Sequence, residues 1–204
     1  MWARALLPEQ DITKNEITVE IIEARLGKII IQKPNGKKVR FKDERAIKFL
    51  SNNQSKDKIF SVSALNENIQ TLDSLAGISA TASLEAGETD GETDVILEIE
   101  DQKRITGSFS ADNHGSRSSG IGRASTLINM NSALHMGETI TFQNVYTYGS
   151  NYYSLGISGP VGYKGVTASL RGSVMDYNLG APLKSTEPQG DSKELSLSIN
   201  FPTL

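Results

Sequence analysis

Cysteine is absent from the 204 residues, which excludes a disulfide scaffold and any Cys-based zinc site. Six Pro and 18 Gly are too few for a collagenous or low-complexity chain. No uninterrupted apolar run exceeds three residues, as at 29–31 and 95–97, so nothing approaches the roughly 20 apolar residues of a membrane helix. A transmembrane β-barrel, whose signal is weaker, passes that test. With a net charge of −3 and a pI near 5.5 there is no basic footprint, and no nucleic-acid partner is expected. The first eight residues contain no apolar stretch long enough for a secretory signal, so the polypeptide as it stands encodes no export. Either it is cytoplasmic or further sequence precedes it.

Composition divides the chain in two. Residues 1–104 carry 15 of the 21 Lys and Arg and 18 of the 24 Asp and Glu, whereas 13 of the 18 Gly and all six Tyr follow Arg104. A boundary is expected near 101–106. In the first half, 17–23 and 28–32 are β-branched runs joined at Arg25-Leu-Gly27, a strand–turn–strand reading that Lys33-Pro-Asn-Gly36 then breaks. Residues 43–52 place Ala46, Ile47, Phe49 and Leu50 at helical spacing, with acids in the first turn where the helix dipole favours them. A second helix sets Leu65, Ile69, Leu72 and Ala76 on one face, with Ser63 as its cap and Gly77 at its left-handed end. Ile78, Ala80, Ala82 and Leu84 then alternate with polar residues, as do Val95, Leu97 and Ile99. The order is β-α-α-β-β, an α+β sheet covered by two helices.

The second half has no helical period. Segments of about ten residues alternate apolar with polar and are separated by Gly, Asn, Asp or Pro, the pattern of an outer-membrane barrel. Ile140, Phe142, Tyr146 and Tyr148 oppose Thr139, Thr141, Gln143 and Thr147, with Asn144 and Val145 out of place. Val166, Ala168, Leu170 and Val174 oppose Thr167, Ser169, Arg171 and Ser173, and Leu195, Leu197, Ile199 and Phe201 oppose Glu194, Ser196, Ser198 and Asn200. Tyr at segment ends suits an aromatic girdle. Strands are expected at about 104–111, 121–133, 138–148, 151–160, 165–178 and 193–202. Six are too few to close a barrel, which takes about eight, and open edges in lipid leave backbone groups unpaired at several kcal/mol each.

No reaction chemistry emerges. Glu85 to Asp94 repeats Gly-Glu-Thr-Asp but lacks calcium-loop spacing, and reads as a solvated hairpin turn. Asp112-Asn-His114-Gly115 reads as a turn rather than a catalytic pair, and His135 has no second His at metal spacing. Gly-x-Ser-x-Gly, His-Glu-x-x-His and a phosphate loop are all missing. No catalytic residue, cofactor or metal is expected. The basic stretch from Lys33 to Lys48 reads as a solvated face, with attraction of an acidic segment or lipid headgroups as its functional alternative. Arg123 and Arg171 fall on the polar side of their segments, where they either line a conduit or solubilise an ordinary sheet.

Four stretches, taken in order, resemble a known family. They are Leu7-Pro-Glu-Gln-Asp11 with 17–23 and 26–29; 65–84 with Gly87, Gly91 and 95–100; Asp112-Asn-His-Gly115 with Gly120, Gly122 and Arg123; and Gly137-Glu138, Gly159-Pro-Val-Gly162 and Asn200-Phe-Pro202. Together they are similar to the haemolysin secretion/activation family of two-partner secretion (TpsB) outer-membrane transporters, the ShlB/FhaC/HecB type. The resemblance implies the end of a first POTRA domain at 1–25, a second POTRA domain at 26–102, and the N-terminal strands of an incomplete antiparallel transmembrane β-barrel at 103–204. The family's plug helix, most of its first POTRA domain, its later strands and its pore loop have no counterpart here. It further implies a large secreted exoprotein, a haemolysin or adhesin, as client and outer-membrane lipid as surroundings, with the POTRA domain in the periplasm. The client would add a strand to one edge, 78–84 or 95–100, beside a groove of Leu65, Ile69, Leu72, Ile78, Ala80 and Ala82, while Arg123 and Arg171 would face the lumen. With no nucleotide site, transport would be driven by client folding. An outer-membrane assembly factor and a soluble β-rich binding module stay open as alternatives.

Overall fold

The structure, a computed structural model, describes residues 3–8, 17, 19–33, 38–52, 60–89, 91–178 and 189–202. Several features singled out above lie outside them: 9–11, Thr18, the break at 34–36, Lys37 and Asp90 of the acidic turn. Two compact units are present, one comprising Met1–Ser74 with Ile78–Glu100 and the other Leu75–Gly77 with Asp101–Leu204.

In the first unit, β1 (Ala3–Leu6) pairs antiparallel with β2 (Glu20–Glu23) as a separate two-stranded sheet. The chain continues through β3 (Arg25–Gln32), α1 (Asp43–Leu50), α2 (Val62–Asp73), β4 (Ile78–Ala86) and β5 (Glu92–Asp101). The three-stranded sheet has the order β3-β5-β4, with β3 parallel to β5. The strand–turn–strand expected at 17–32 is therefore corrected. Arg25-Leu-Gly27 belongs to β3, and β2 turns away to pair with β1. The pairing of β3 with β5 shifts register between Leu26 and Ile29, around that glycine. The Asp94 carboxylate, 66 residues further on, accepts the Lys28 N–H at 2.6 Å, and a Cβ on Gly27 would stand 2.1 Å from that same oxygen. The glycine there makes room for a buried carboxylate.

Phe41, Ala46, Phe49, Leu50, Phe60, Leu65, Leu72, Ile78, Ala80 and the β5 run 95–97 with Ile99 form the core. β5 is central and buried on both faces, so Ile96 is inside along with Val95, Leu97 and Ile99. In α1 the residues Ala46, Phe49 and Leu50 point inward, while Ile47 is 39% exposed. The N-cap of α2 is Ser61, whose Oγ accepts the Ala64 N–H at 3.3 Å; Ser63 sits inside the first turn. Gly77 does take a positive φ of 81°, three residues past the Ser74 C-cap.

Helix α2 also closes α1. Buried Asn68 donates through Nδ2 to the carbonyls of Leu50 at 2.9 Å and Asn52 at 2.6 Å, satisfying two groups that the end of α1 leaves unpaired. Asn68→Ala is expected to cost the first unit about 2 kcal/mol by orphaning them, seen as a lower urea midpoint for that unit. An unchanged midpoint would mean water replaces the amide at no cost.

The second unit is a six-stranded antiparallel sheet of consecutive strands: β6 (Ile105–Asp112), β7 (Arg123–Asn131), β8 (Thr139–Thr147), β9 (Ser150–Pro160), β10 (Thr167–Asn178) and β11 (Gln189–Asn200). β11 begins at Gln189, not 193, because its pairing with β10 runs unbroken to Asn178. β6 and β11 are the two open edges, so among the described residues the sheet does not close on itself.

Candidate functional site

In the first unit, β4 is the sheet edge against which α2 packs. Leu65, Leu72, Ile78 and Ala80, four of the six groove residues expected from sequence, are core residues at 0–4% exposure. Side chains spent on their own core present nothing to a partner. Ile69 and Ala82 are half-buried and accessible in part.

What β4 offers is backbone. The Ala80 N–H donates to Asp73 Oδ1 at 2.8 Å, so it points away from β5. At the hairpin, Gly87 N–H donates to the Glu92 carbonyl at 2.9 Å, so odd-numbered β4 residues face β5. Strand backbone alternates direction with each residue, which leaves the N–H and C=O groups of Ala82 and Leu84 on the outer edge. Asp73, which also accepts from Ser79 Oγ at 3.2 Å, stops that edge at Ala80. Neither Asp73 nor Asn68 stands out in the sequence; Asn68 is a polar residue on the buried side of an amphipathic helix, and Asp73 is an exposed acid at that helix's last position.

The opposite side of this sheet has the other edge, β3, which its bulge distorts. The acidic turn is a hairpin with Gly91 at φ 85°. Its Glu88 forms an ion pair with Lys28, and that hydrogen bond raises the ammonium above its ordinary range. Both groups are exposed, so this acid belongs to a surface pair. Lys33 reaches Asp43 at 2.8 Å, tying the start of the basic stretch to the first turn of α1. Among the described residues no group of three acidic or His side chains gathers for a metal.

The six-stranded sheet has two chemically distinct faces, which the registers assign residue by residue. One row of directly opposed residues is Thr106, Asn129, Thr141, Gly156, Arg171 and Ser196; it is polar throughout. The next row, on the other face, is Ile105, Met130, Ile140, Ile157, Leu170 and Leu197. Arg123 lies on the same face as Arg171. Its guanidinium donates to Asp112 Oδ2 at 3.2 and 3.0 Å. Arg171 and Glu194 line one shallow cavity of about 330 Å³ on the polar face, walled by Ser158, Ser169, Ser173 and Ser196. Asp112 also accepts the His114 N–H at 3.0 Å, an Asx turn that commits the carboxylate to structure. His135 sits in the turn between β7 and β8 with φ 64°. Asn144, out of place by alternation, is on the apolar face but donates to Asn151 Oδ1 and the Tyr152 carbonyl at 3.1 and 3.0 Å.

Burial in this unit is inverted. From Ile105 onward the buried described residues are Ser132, Glu138, Thr147 and Ser154 with the glycines Gly137 and Gly149, and none of them carries an apolar side chain. The apolar face is exposed, with Phe109 at 72%, Leu155 at 60%, Leu195 at 77% and Leu197 at 71%. A water-soluble sheet hides such a face against a second layer, and an exposed apolar area of this extent marks a surface for contact with protein or membrane. Among the described residues no helix is long and apolar enough to cross a membrane.

Residues 91–201, more than half of the chain, match the family described as haemolysin secretion/activation protein ShlB/FhaC/HecB. Over 209 aligned residues the chain is 26% identical to the heme/hemopexin transporter protein HuxB of Haemophilus influenzae, covering 99% of this chain and 35% of HuxB. The chain thus spans about a third of the length of the curated relatives it matches. Among solved structures it is similar to CdiB from Escherichia coli, with a TM-score of 0.72, 19% identity, and 97% of this chain and 37% of that one covered. BamA from Haemophilus ducreyi lacking POTRA domains 1–3 gives a TM-score of 0.62 at 18% identity, with the same coverage. These likenesses support a barrel-type antiparallel fold for the six-stranded sheet, which is open among the described residues. The curated relatives are transporters rather than enzymes.

Proposed function

The chain belongs to the haemolysin secretion/activation family ShlB/FhaC/HecB, outer-membrane β-barrel proteins of Gram-negative bacteria, and on that premise we propose that it serves two-partner secretion of an exoprotein. The observation that carries this reading is the inverted sheet. Its exposed apolar face meets lipid, and its polar face, with Arg123 and Arg171, lines the conduit. The soluble β-rich module is disfavoured by the same face, since no second layer covers it among the described residues.

In this reading residues 26–102 are a POTRA domain in the periplasm, preceded at 1–25 by the end of another, and 103–204 are the first strands of the barrel. The β-α-α-β-β order of β3 to β5 supports it. The client adds a strand along Ala82 and Leu84 of β4, where main-chain hydrogen bonds supply affinity and sequence tolerance together. That tolerance suits a large unfolded exoprotein of varied sequence. The polar face is hydroxyl-rich and carries few charges, so it passes a chain without holding it.

The test is saturable binding of the exoprotein's N-terminal secretion domain to the purified native protein. Binding that this domain alone competes supports the reading. Absence of binding, or equal competition by an unfolded outer-membrane barrel polypeptide, sinks it, and the second result would favour an assembly factor.

A further inference from the structure

On the apolar face, at the end of the sheet where the chain enters β6, the surface is not flat. A groove of about 300 Å³ lies between Leu134 and Met136, carried by the turn between β7 and β8, and Ile157, Leu170 and Leu197 of β9, β10 and β11. Its floor is the directly opposed pair Gly159 and Ala168, the smallest residues available to that row. Gly159 has to be small, because a Cβ there would stand 2.9 Å from the Cβ of Glu138.

Glu138 explains why the wall stands where it does. It is 4% exposed, and its carboxylate accepts the N–H groups of Leu134 and Met136, the latter at 3.0 Å. Ser132 N–H donates to the Glu138 carbonyl at 2.7 Å, and Ser132, His135 and Gly137 all hold positive φ. The turn is thereby pinned with two large apolar side chains standing above the sheet, 57% and 42% exposed. The one charge near the groove is consumed by backbone donors, so the cavity is apolar.

We propose that this groove holds one acyl chain of a phospholipid in the periplasmic leaflet. The inference rests on the reading that the apolar face meets lipid and that the first unit lies in the periplasm. The groove continues the row Ile140, Ile157, Leu170 and Leu197, so the medium that covers the row also fills it. A chain of methylenes matches a narrow cleft with no free donor or acceptor, whereas a peptide would leave backbone groups unpaired there. Lys164, exposed in the turn from β9 to β10 that follows Pro160, supplies a cation at this same end of the sheet, where a headgroup phosphate would lie.

The purified native protein, reconstituted in phosphatidylethanolamine vesicles with a diazirine-bearing acyl analogue, is photolysed and its adducts mapped. Labelling of Leu134, Met136 and Leu197 is expected at several times the level at Phe142 and Leu155, which face the same way outside the groove. Ala168→Phe, which fills the floor, should reduce the first set to the level of the second. Even labelling of all outward positions in the wild type overturns the groove as a distinct site, whatever the variant does. Labelling of no outward position overturns the membrane reading itself.

Discussion

Leu155→Arg is expected to keep the protein out of the outer membrane, while Ser173→Arg leaves it there. Leu155 lies in the row Gly107, Ile128, Phe142, Gly172 and Leu195 on the apolar face, one row from Ile157 and Leu170. A guanidinium there is carried towards the middle of the bilayer, at a cost of about 2–4 kcal/mol for an Arg at the midplane. Snorkelling towards Tyr153 and Asn144, in the adjoining row, lowers that cost without cancelling it. Ser173 is directly opposite Glu194 on the polar face, so an Arg at that position finds water and a carboxylate. The measurement is the heat-modifiable band in the outer-membrane fraction. Loss for Leu155→Arg with retention for Ser173→Arg is the expected pair; equal tolerance would mean that the apolar face is covered by protein.

The contrast between those two substitutions was legible in the sequence, because it depends only on period two. Once Ile140 and Phe142 are opposed to Thr139 and Thr141, each strand's faces are settled before any partner is known. The same reasoning located the six strands, and it fails where pairing partners decide. The stretch 25–27 reads as a turn because Gly27 interrupts two β-branched runs, yet its glycine answers to Asp94 at the far end of the unit. Likewise β1 forms on residues 3–6 only because β2 is there to receive it.

The outer edge of β4 was half legible for a related reason. Alternation at 78–84 identified the apolar set of β4 correctly as the side facing the helix, and for that reason Leu65, Leu72, Ile78 and Ala80 ended in the core. A period tells which side chains are inside; it says nothing of which backbone groups are left over. Those follow from sheet order and from Asp73, a residue whose meaning appears only when its carboxylate is found on the Ala80 N–H. Glu138 is similar: in sequence it is an acid after a glycine, and in the structure it is the post that holds Leu134 and Met136 up.

Ala82→Pro separates the backbone edge from everything around it. Proline removes an N–H, and at Ala82 that N–H is the outward one, so the bonds from β4 to β5 stay intact and the edge position tolerates the ring. The unit should melt close to wild type. Client binding, if it is strand addition on β4, loses one of its main-chain bonds and meets the ring where the incoming strand must lie, so affinity should fall at least about tenfold. Ser83→Pro is the internal comparison. It deletes a bond inside the hairpin and should destabilise the unit by about 3 kcal/mol, a loss of fold that lowers binding without bearing on the edge. Asp73→Ala runs the other way: releasing the Ala80 N–H lengthens the edge, at about 1 kcal/mol of lost capping, and binding should hold or tighten. If Ala82→Pro binds its client as wild type does, the strand joins elsewhere. Of the two edges of this sheet, only β3 would then remain, and its bulge admits a partner no longer than the four residues after Lys28.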